Sequence, residues 1–184
     1  VYSDVLYDNP QKESVKWSED DGIVVRRRSI RREATVEAWG LVDGMPTGKH
    51  FDKLIYDDCV TDKTVGTTEQ IEKTKAAFRM STNIGRRGGA QRVIGTIYHH
   101  ADLYSELKKM SQDWKVREYP AEIDGVPLYL TPEELAEKRR KMGVYVYSSQ
   151  MLMQPVADDS RKFELSWLKY YINAPKLNYY IIVD

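Results

Sequence analysis

The residues best suited to chemistry are two adjacent acids, Asp57 and Asp58, which follow the run Lys53-Leu54-Ile55-Tyr56. A short apolar run suits a buried strand of a parallel sheet, and the carboxyl end of such a strand is where open α/β sheets hold ligands. Two readings of the pair follow. In phosphoryl transfer, one acid orders Mg²⁺ and its neighbour orients the attacking water. Alternatively, the two acids end a strand and begin a turn, where Asp is favoured for its bonds to nearby backbone amides. The hexapeptide alone leaves both open.

Thr96 closes the next strand-like run, Gln91-Arg92-Val93-Ile94-Gly95-Thr96. A small hydroxyl at that edge can bond a phosphate or a bound water; it is equally a residue chosen for strand propensity and a turn bond. Arg26, Arg27, Arg28, Arg31 and Arg32 crowd seven positions, and Arg86 and Arg87 form a second basic pair. Such arginines bind phosphate or reach a neighbouring subunit's nucleotide, or else they pair with nearby acids on a solvated turn.

Two tempting patterns fail on their chemistry. Gly48-Lys49 matches the end of a phosphate-binding P-loop, but Asp43 stands where the first glycine belongs and His50 where the Mg²⁺-binding hydroxyl belongs. That loop also feeds a strand, whereas a P-loop must open a helix whose amides face the phosphates. His99, His100 and Asp102 do not read as a metal site, because adjacent histidines point in different directions. Cys59 reads as a small packing residue, and as the single cysteine it excludes an internal disulfide and fits a reducing compartment.

The elements that position these residues follow from caps and periodicity. Residues 1–20 read as a loop, then 22–29 and 34–40 as two strands of an antiparallel hairpin around the arginine turn. Thr67-Thr68-Glu69-Gln70 is a capping box that opens a helix over 68–82, with Ile71, Thr74, Phe78 and Ser81 on one face. Strand, helix and strand then make a right-handed parallel crossover, which brings Thr96 to the same edge as Asp57 and Asp58.

A helix over 101–111 is expected to bury Leu103, Leu107 and Met110, and a strand over 114–119 precedes a loop over 120–130. Thr131-Pro132-Glu133-Glu134 starts a helix that Gly143 ends, and residues 144–153 form another short one. Residues 156–176 read as a linker that packs Phe163, Trp167 and Tyr170. Residues 178–184 read as a strand beginning a new unit, so the chain is expected to be an internal stretch of a longer polypeptide.

Composition limits the classes of function. With 184 residues the chain supports one good core or one domain and a piece of another. Lys+Arg and Asp+Glu are both 28, so any nucleic-acid contact must come from local patches rather than a global field. No apolar run is long enough to span a bilayer, and the amino terminus lacks the pattern of a signal peptide.

Taken in order, Thr47-Gly48-Lys49-His50-Phe51-Asp52, Leu54-Ile55-Tyr56-Asp57-Asp58, the helix, Val93-Ile94-Gly95-Thr96-Ile97-Tyr98-His99, Asp102-Leu103-Tyr104, Tyr147-Ser148-Ser149-Gln150, Pro155 and the strand ending at Asp184 resemble the large subunit of a tailed-phage terminase. The resemblance runs along nearly the whole chain. It implies an α/β fold, a partial P-loop NTPase parallel sheet with flanking helices that lacks the P-loop strand, followed by a small helical linker region. The implied division is 1–118 for the later part of an ATPase domain, 119–176 for a linker subdomain and 177–184 for the first strand of a ribonuclease-H-like nuclease.

By the same resemblance Asp57 matches the Mg²⁺-holding acid, Asp58 the water-activating acid, Thr96 with Gly95 the coupling motif, and Asp184 the first metal-binding acid of the nuclease. The implied cofactors are ATP and Mg²⁺, with a divalent metal for the nuclease. Implied partners are double-stranded DNA, a portal protein, a small terminase subunit and further copies in a ring, in the host cytoplasm and away from membranes. Arg26, Arg27, Arg28, Arg86 and Arg87 are the candidates for contacting DNA or acting across a subunit boundary.

Two departures stand out: the second acid is Asp where the wider ATPase class usually has Glu, and these residues contain no P-loop. The isolated chain is therefore expected to be inactive. A helicase-like ATPase would share the acid pair and the hydroxyl strand end, and a non-catalytic DNA-binding or capsid-associated module would use the acids only as a strand end.

Overall fold

The structure, a computed structural model, describes residues 2–110 and 112–155, which build a mixed α/β fold with one small parallel sheet and flanking helices. Phe163, Trp167 and Tyr170 of the expected linker, and the expected strand ending in Asp184, lie outside the described residues.

The chain begins with a helical turn, α1 (Pro10–Glu13), whose proline occupies the first turn, where its missing N–H costs nothing. Strands β1 (Trp17–Ser18) and β2 (Gly22–Ile23) then pair antiparallel. The expected hairpin of 22–29 with 34–40 is not formed: Ile23 meets Val36 through one antiparallel bridge. Side chains take over where the ladder would continue. The Val25 N–H donates to the Thr35 hydroxyl, and the Arg27 guanidinium donates to the carbonyls of Glu33 and Arg31. Gly22, at φ 84°, is needed at the crossing, since a Cβ there would stand 2.7 Å from the Val36 carbonyl oxygen.

Gly48-Lys49 has a structural use. The Lys49 ammonium meets the Glu37 carboxylate at 2.5 Å and lies 4.6 Å from the centre of the Trp39 ring. Glu37 also accepts from the Ala34 N–H and the Trp39 indole. Burial pushes its pKa up, but these donors outweigh it and hold the carboxyl below the ordinary value. This turn leads into β3 (Phe51–Asp57).

Strand β3 alternates: Leu54 and Tyr56 are buried, while Lys53, Ile55 and Asp57 are exposed. The expectation of a fully buried strand is thus corrected, because helices cover only one of its faces. That cover begins with α2 (Thr68–Ser81), opened by the capping box in which the Gln70 N–H donates to the Thr67 hydroxyl and the Thr67 N–H to the Gln70 side chain. Phe78 tilts against Tyr56 at 4.7 Å between ring centres, and the Tyr56 and Ser81 hydroxyls bond at 2.8 Å.

Strand β4 (Gly85–Ile94) runs parallel to β3. It starts six residues before the expected Gln91, a difference read from its register with β3: Phe51 pairs with Gly85, but Lys53 already pairs with Ala90. Residues 86–89 are therefore looped out as a wide bulge at the amino end. Helix α3 (Leu103–Lys109) completes the cover, with Leu103, Tyr104 and Leu107 joining Leu54, Tyr56, Val60 and Phe78 in one core. Met110, expected in that core, lies past the helix end and is 45% exposed. Glu106 of α3 clasps α2 through Lys75 at 3.1 Å and Arg79 at 2.7 Å.

Residues 114–119 form no strand and pair with no strand among the described residues, which corrects the expected strand. Trp114 packs on Phe78 at 6.2 Å, so the segment follows the helical layer rather than the sheet. The expected loop at 120–130 instead contains a hairpin, β5 (Glu122–Ile123) with β6 (Val126–Pro127), around Asp124-Gly125 with φ of 51° and 77°. Both turn residues are left-handed, the condition of a tight two-residue hairpin turn.

Helix α4 (Pro132–Gln150) is capped by Thr131 with Glu134 and changes course at Gly143, whose φ of 75° and ψ of 164° are not helical. Ala121, Leu135 and Tyr147 form a second buried cluster there. Among the described residues no helix is long and apolar enough to cross a membrane.

Candidate active site at the carboxyl edge of the parallel pair

Strands β3 and β4 end level with one another, Asp57 opposite Ile94. The next residue, Asp58, turns into the left-handed region at φ 44° and donates its N–H to the Ile94 carbonyl at 3.1 Å. That conformation costs an ordinary residue roughly 1–2 kcal/mol, and Asp is among the few side chains that tolerate it. It has a chemical consequence. In a continuous strand, Asp57 and Asp58 would point to opposite faces; the left-handed turn ends that alternation at the second acid.

Both carboxylates are exposed, and among the described residues neither forms an ion pair. Cys59, next along, has its thiol pushed up by burial and then by the charges of Asp57 and Asp58, so it stays a protonated thiol at neutral pH. Val60 is buried, and its N–H donates to the Tyr104 hydroxyl at 3.4 Å. The same hydroxyl donates to the Ile94 carbonyl at 3.2 Å. Burial, with smaller effects from the neighbouring Cys59 and Asp58, raises the Tyr104 pKa to about 12, so the phenol keeps the proton it donates.

Thr96 lies two residues past the end of β4, on the edge that carries the acids. Gly95 before it has no substitute: a Cβ would stand 2.2 Å from the Tyr104 hydroxyl oxygen. Beyond Thr96 the chain is held by Asp102, the N-cap of α3. One carboxylate oxygen accepts from the Tyr98 and His99 amides at 2.8 and 3.1 Å, and the other accepts from the Ser105 amide at 2.8 Å. Asp102 is 1% exposed and is fully engaged by these bonds. His99 Nδ1 accepts from the Ala101 N–H, and burial together with His100 and Lys75 lowers the ring's pKa.

The structure thus brings Asp57, Asp58, Gly95 and Thr96 to one edge. Asp102 and Tyr104 organise that edge, and sequence reading missed both roles. A signal existed for the first, since Asp immediately before Leu103-Tyr104-Ser105 is a helix N-cap pattern. No local signal existed for the second, because Tyr104 and Val60 are 44 positions apart.

Arg31 and Arg86, one from each basic group, meet at the opposite end of the sheet. Asp52 joins the two groups, accepting from Arg31 at 2.5 Å and Arg86 at 3.4 Å. Arg26 donates to the Ser3 carbonyl and lies 5.4 Å from the centre of the Tyr7 ring; Arg27 is held by Glu33 and Arg31. Arg28 and Arg87 are exposed and make no hydrogen bond or ion pair with a described residue. No protein-family model matches the chain, and no curated protein gives a significant match.

Proposed function

We propose that the chain is part of an ATP-driven DNA-packaging motor of the terminase large-subunit type. In this reading Asp57 and Asp58 are the acid half of its ATPase centre, and the phosphate cradle comes from a segment outside residues 1–184. The carboxyl edge carries the reading: two adjacent, exposed carboxylates without cationic partners among the described residues, on a backbone bonded to the neighbouring parallel strand through Asp58 and Ile94. By contrast Asp102, the N-cap of α3, has both carboxylate oxygens engaged by backbone amides.

The donor set suits Mg²⁺, which prefers hard oxygens and usually takes one or two carboxylates beside substrate phosphates and water. Among the described residues no cluster of three or more His, Cys, Asp or Glu side chains is arranged to hold a metal alone, so the phosphates of the substrate would have to share the ion. Asp57 would hold it, where it neutralises phosphate charge. Asp58 orients the attacking water and accepts its proton; its side chain is one methylene shorter than Glu. Thr96 reads the loss of phosphate at the same edge.

In the full motor this hydrolysis moves double-stranded DNA through a portal, in a ring of copies supplied with DNA by a small subunit. Asp184 contributes to a ribonuclease-H-like nuclease. Of the arginine candidates, Arg28 and Arg87 are the available ones, while Arg26, Arg27 and Arg86 are engaged within the chain.

The test is Mg²⁺-dependent ATP hydrolysis by the protein expressed from its whole reading frame, with and without double-stranded DNA. Asp58→Asn is expected to lower kcat by ~100-fold or more, the scale of a lost general base, while nucleotide still binds. Wild-type turnover by Asp58→Asn would overturn the assignment.

A further inference from the structure

One backbone amide and one side-chain hydroxyl converge on a single carbonyl. Ile94 C=O accepts from the Asp58 N–H and from the Tyr104 hydroxyl, and that hydroxyl accepts from the Val60 N–H. The acid loop is therefore held at Asp58 and again at Val60, both times by reference to the end of β4. The segment that carries Thr96 is gripped on both sides as well, by Tyr104 at Ile94 and by Asp102 at Tyr98 and His99. Both grips come from the first turn of α3 and the residue that caps it.

We propose that Tyr104 is a positioning residue whose hydroxyl couples the acid loop to the Thr96 strand end, so that a displacement at one is transmitted to the other; this rests on the ATPase reading above. The hydroxyl is well placed for the task. Its ring is fixed in the core with Leu54, Tyr56, Leu103 and Leu107, so the oxygen moves only with α3. Its donor and one acceptor site are both used, and losing it would leave the buried Val60 N–H unpaired. Gly95 completes the device, since the ring reaches Ile94 only because residue 95 has no side chain.

Tyr104→Phe removes the oxygen and keeps the ring. In the protein expressed from its whole reading frame it should lower kcat for ATP about tenfold, a moderate positioning loss. KM for ATP should stay near wild type, and the stimulation of hydrolysis by double-stranded DNA should shrink. Tyr56→Phe is the matched control: it deletes a buried hydroxyl bonded to Ser81 in the same core and should keep kcat at a similar loss of thermal stability. Gly95→Ala displaces the ring from the other side, and combined with Tyr104→Phe its effect on kcat should be less than additive, as for two changes in one contact.

Hydrogen exchange at the Asp58 and Val60 amides should speed up in Tyr104→Phe, independently of any nucleotide. An unchanged kcat in Tyr104→Phe, or an equal fall in Tyr56→Phe, would overturn the proposal and leave the ATPase reading intact. A wild-type protein without Mg²⁺-dependent hydrolysis would overturn both, while faster exchange in Tyr104→Phe would then mark the hydroxyl as structural only.

Discussion

Asp52 and Asp57 stand at opposite ends of the same strand and have opposite surroundings. At the amino end, Asp52 faces two guanidiniums, and the Arg31 hydrogen bond above all holds its carboxyl below the ordinary value of 3.8. The adjoining β4 is bulged out there, from Arg86 to Gly89. At the carboxyl end the register is tight, a buried phenol and a buried carboxylate fix the backbone, and the two acids have no cation among the described residues. The difference lies in how each end is anchored. Arginines neutralise an acid and thereby hold a loop, whereas core hydrogen bonds hold a loop and leave its acids unneutralised. Only the second arrangement keeps carboxylates available to a metal ion and water.

Removing the core beneath the carboxyl end should have the largest effect on stability. Leu103 is 2% exposed and packs between the sheet and α2, so Leu103→Ala is expected to cost about 2–5 kcal/mol in denaturant unfolding, with loss of the protection at Asp58 and Val60. A loss under about 1 kcal/mol would show that the carboxyl end is not held by this core, and the contrast with the amino end would disappear.

The α2–α3 clasp should come next. Glu106 is pushed up by burial, but hydrogen bonds from Arg79 and Lys75 outweigh it and keep its pKa below the ordinary 4.5. A carboxyl depressed in the folded state stabilises fully above its unfolded value and loses that contribution as pH falls through the folded one. Glu106→Gln should therefore be less stable than wild type at pH 7 by about 1–2 kcal/mol, the scale of a charge-assisted bond. The two proteins should converge as pH drops below 4.5. Parallel stability curves down to pH 2 would mean that Glu106 acts by packing rather than charge.

The legibility of these regions in sequence follows the same division between local and distant causes. Helix α2 and the start of α4 were readable because Thr67 with Gln70 and Thr131 with Glu134 are contacts three residues apart. The two adjacent acids at a strand end were readable from Lys53 to Asp58. The start of β4 was not: Gly85-Arg86-Arg87-Gly88-Gly89 has little strand propensity, and it joins β3 only through the Phe51–Gly85 pair before residues 86–89 bulge out. Residues 114–119 show the converse, with strand-like composition and no strand partner among the described residues. The 120–130 loop was legible, but the hairpin inside it was not, because the pairs flanking Asp124-Gly125 are only two residues long and lack an alternating run to announce them. The Tyr104 node depends on residues 58, 60 and 94 meeting in space, and nothing in a linear pattern encodes that meeting.

Asp52→Asn should have the smallest effect on stability and tests the other half of the contrast. The Asp52 side chain is 63% exposed, so its ion pairs are screened by solvent and their loss should scarcely change the unfolding midpoint. What should change is the surface. Arg31 and Arg86 lose their shared counter-charge and join Arg28 and Arg87 as exposed cations on adjoining segments. Retention on immobilised heparin or on duplex DNA should therefore increase, with a steeper dependence on salt than wild type, because each additional phosphate contact releases further counterions. Unchanged retention would mean that the arginines around Asp52 do not act together as a polyanion surface. A large loss of stability would mean that the exposed Asp52 ion pairs hold the amino end as firmly as the core hydrogen bonds hold the carboxyl end, and the distinction between the two ends of β3 would fail.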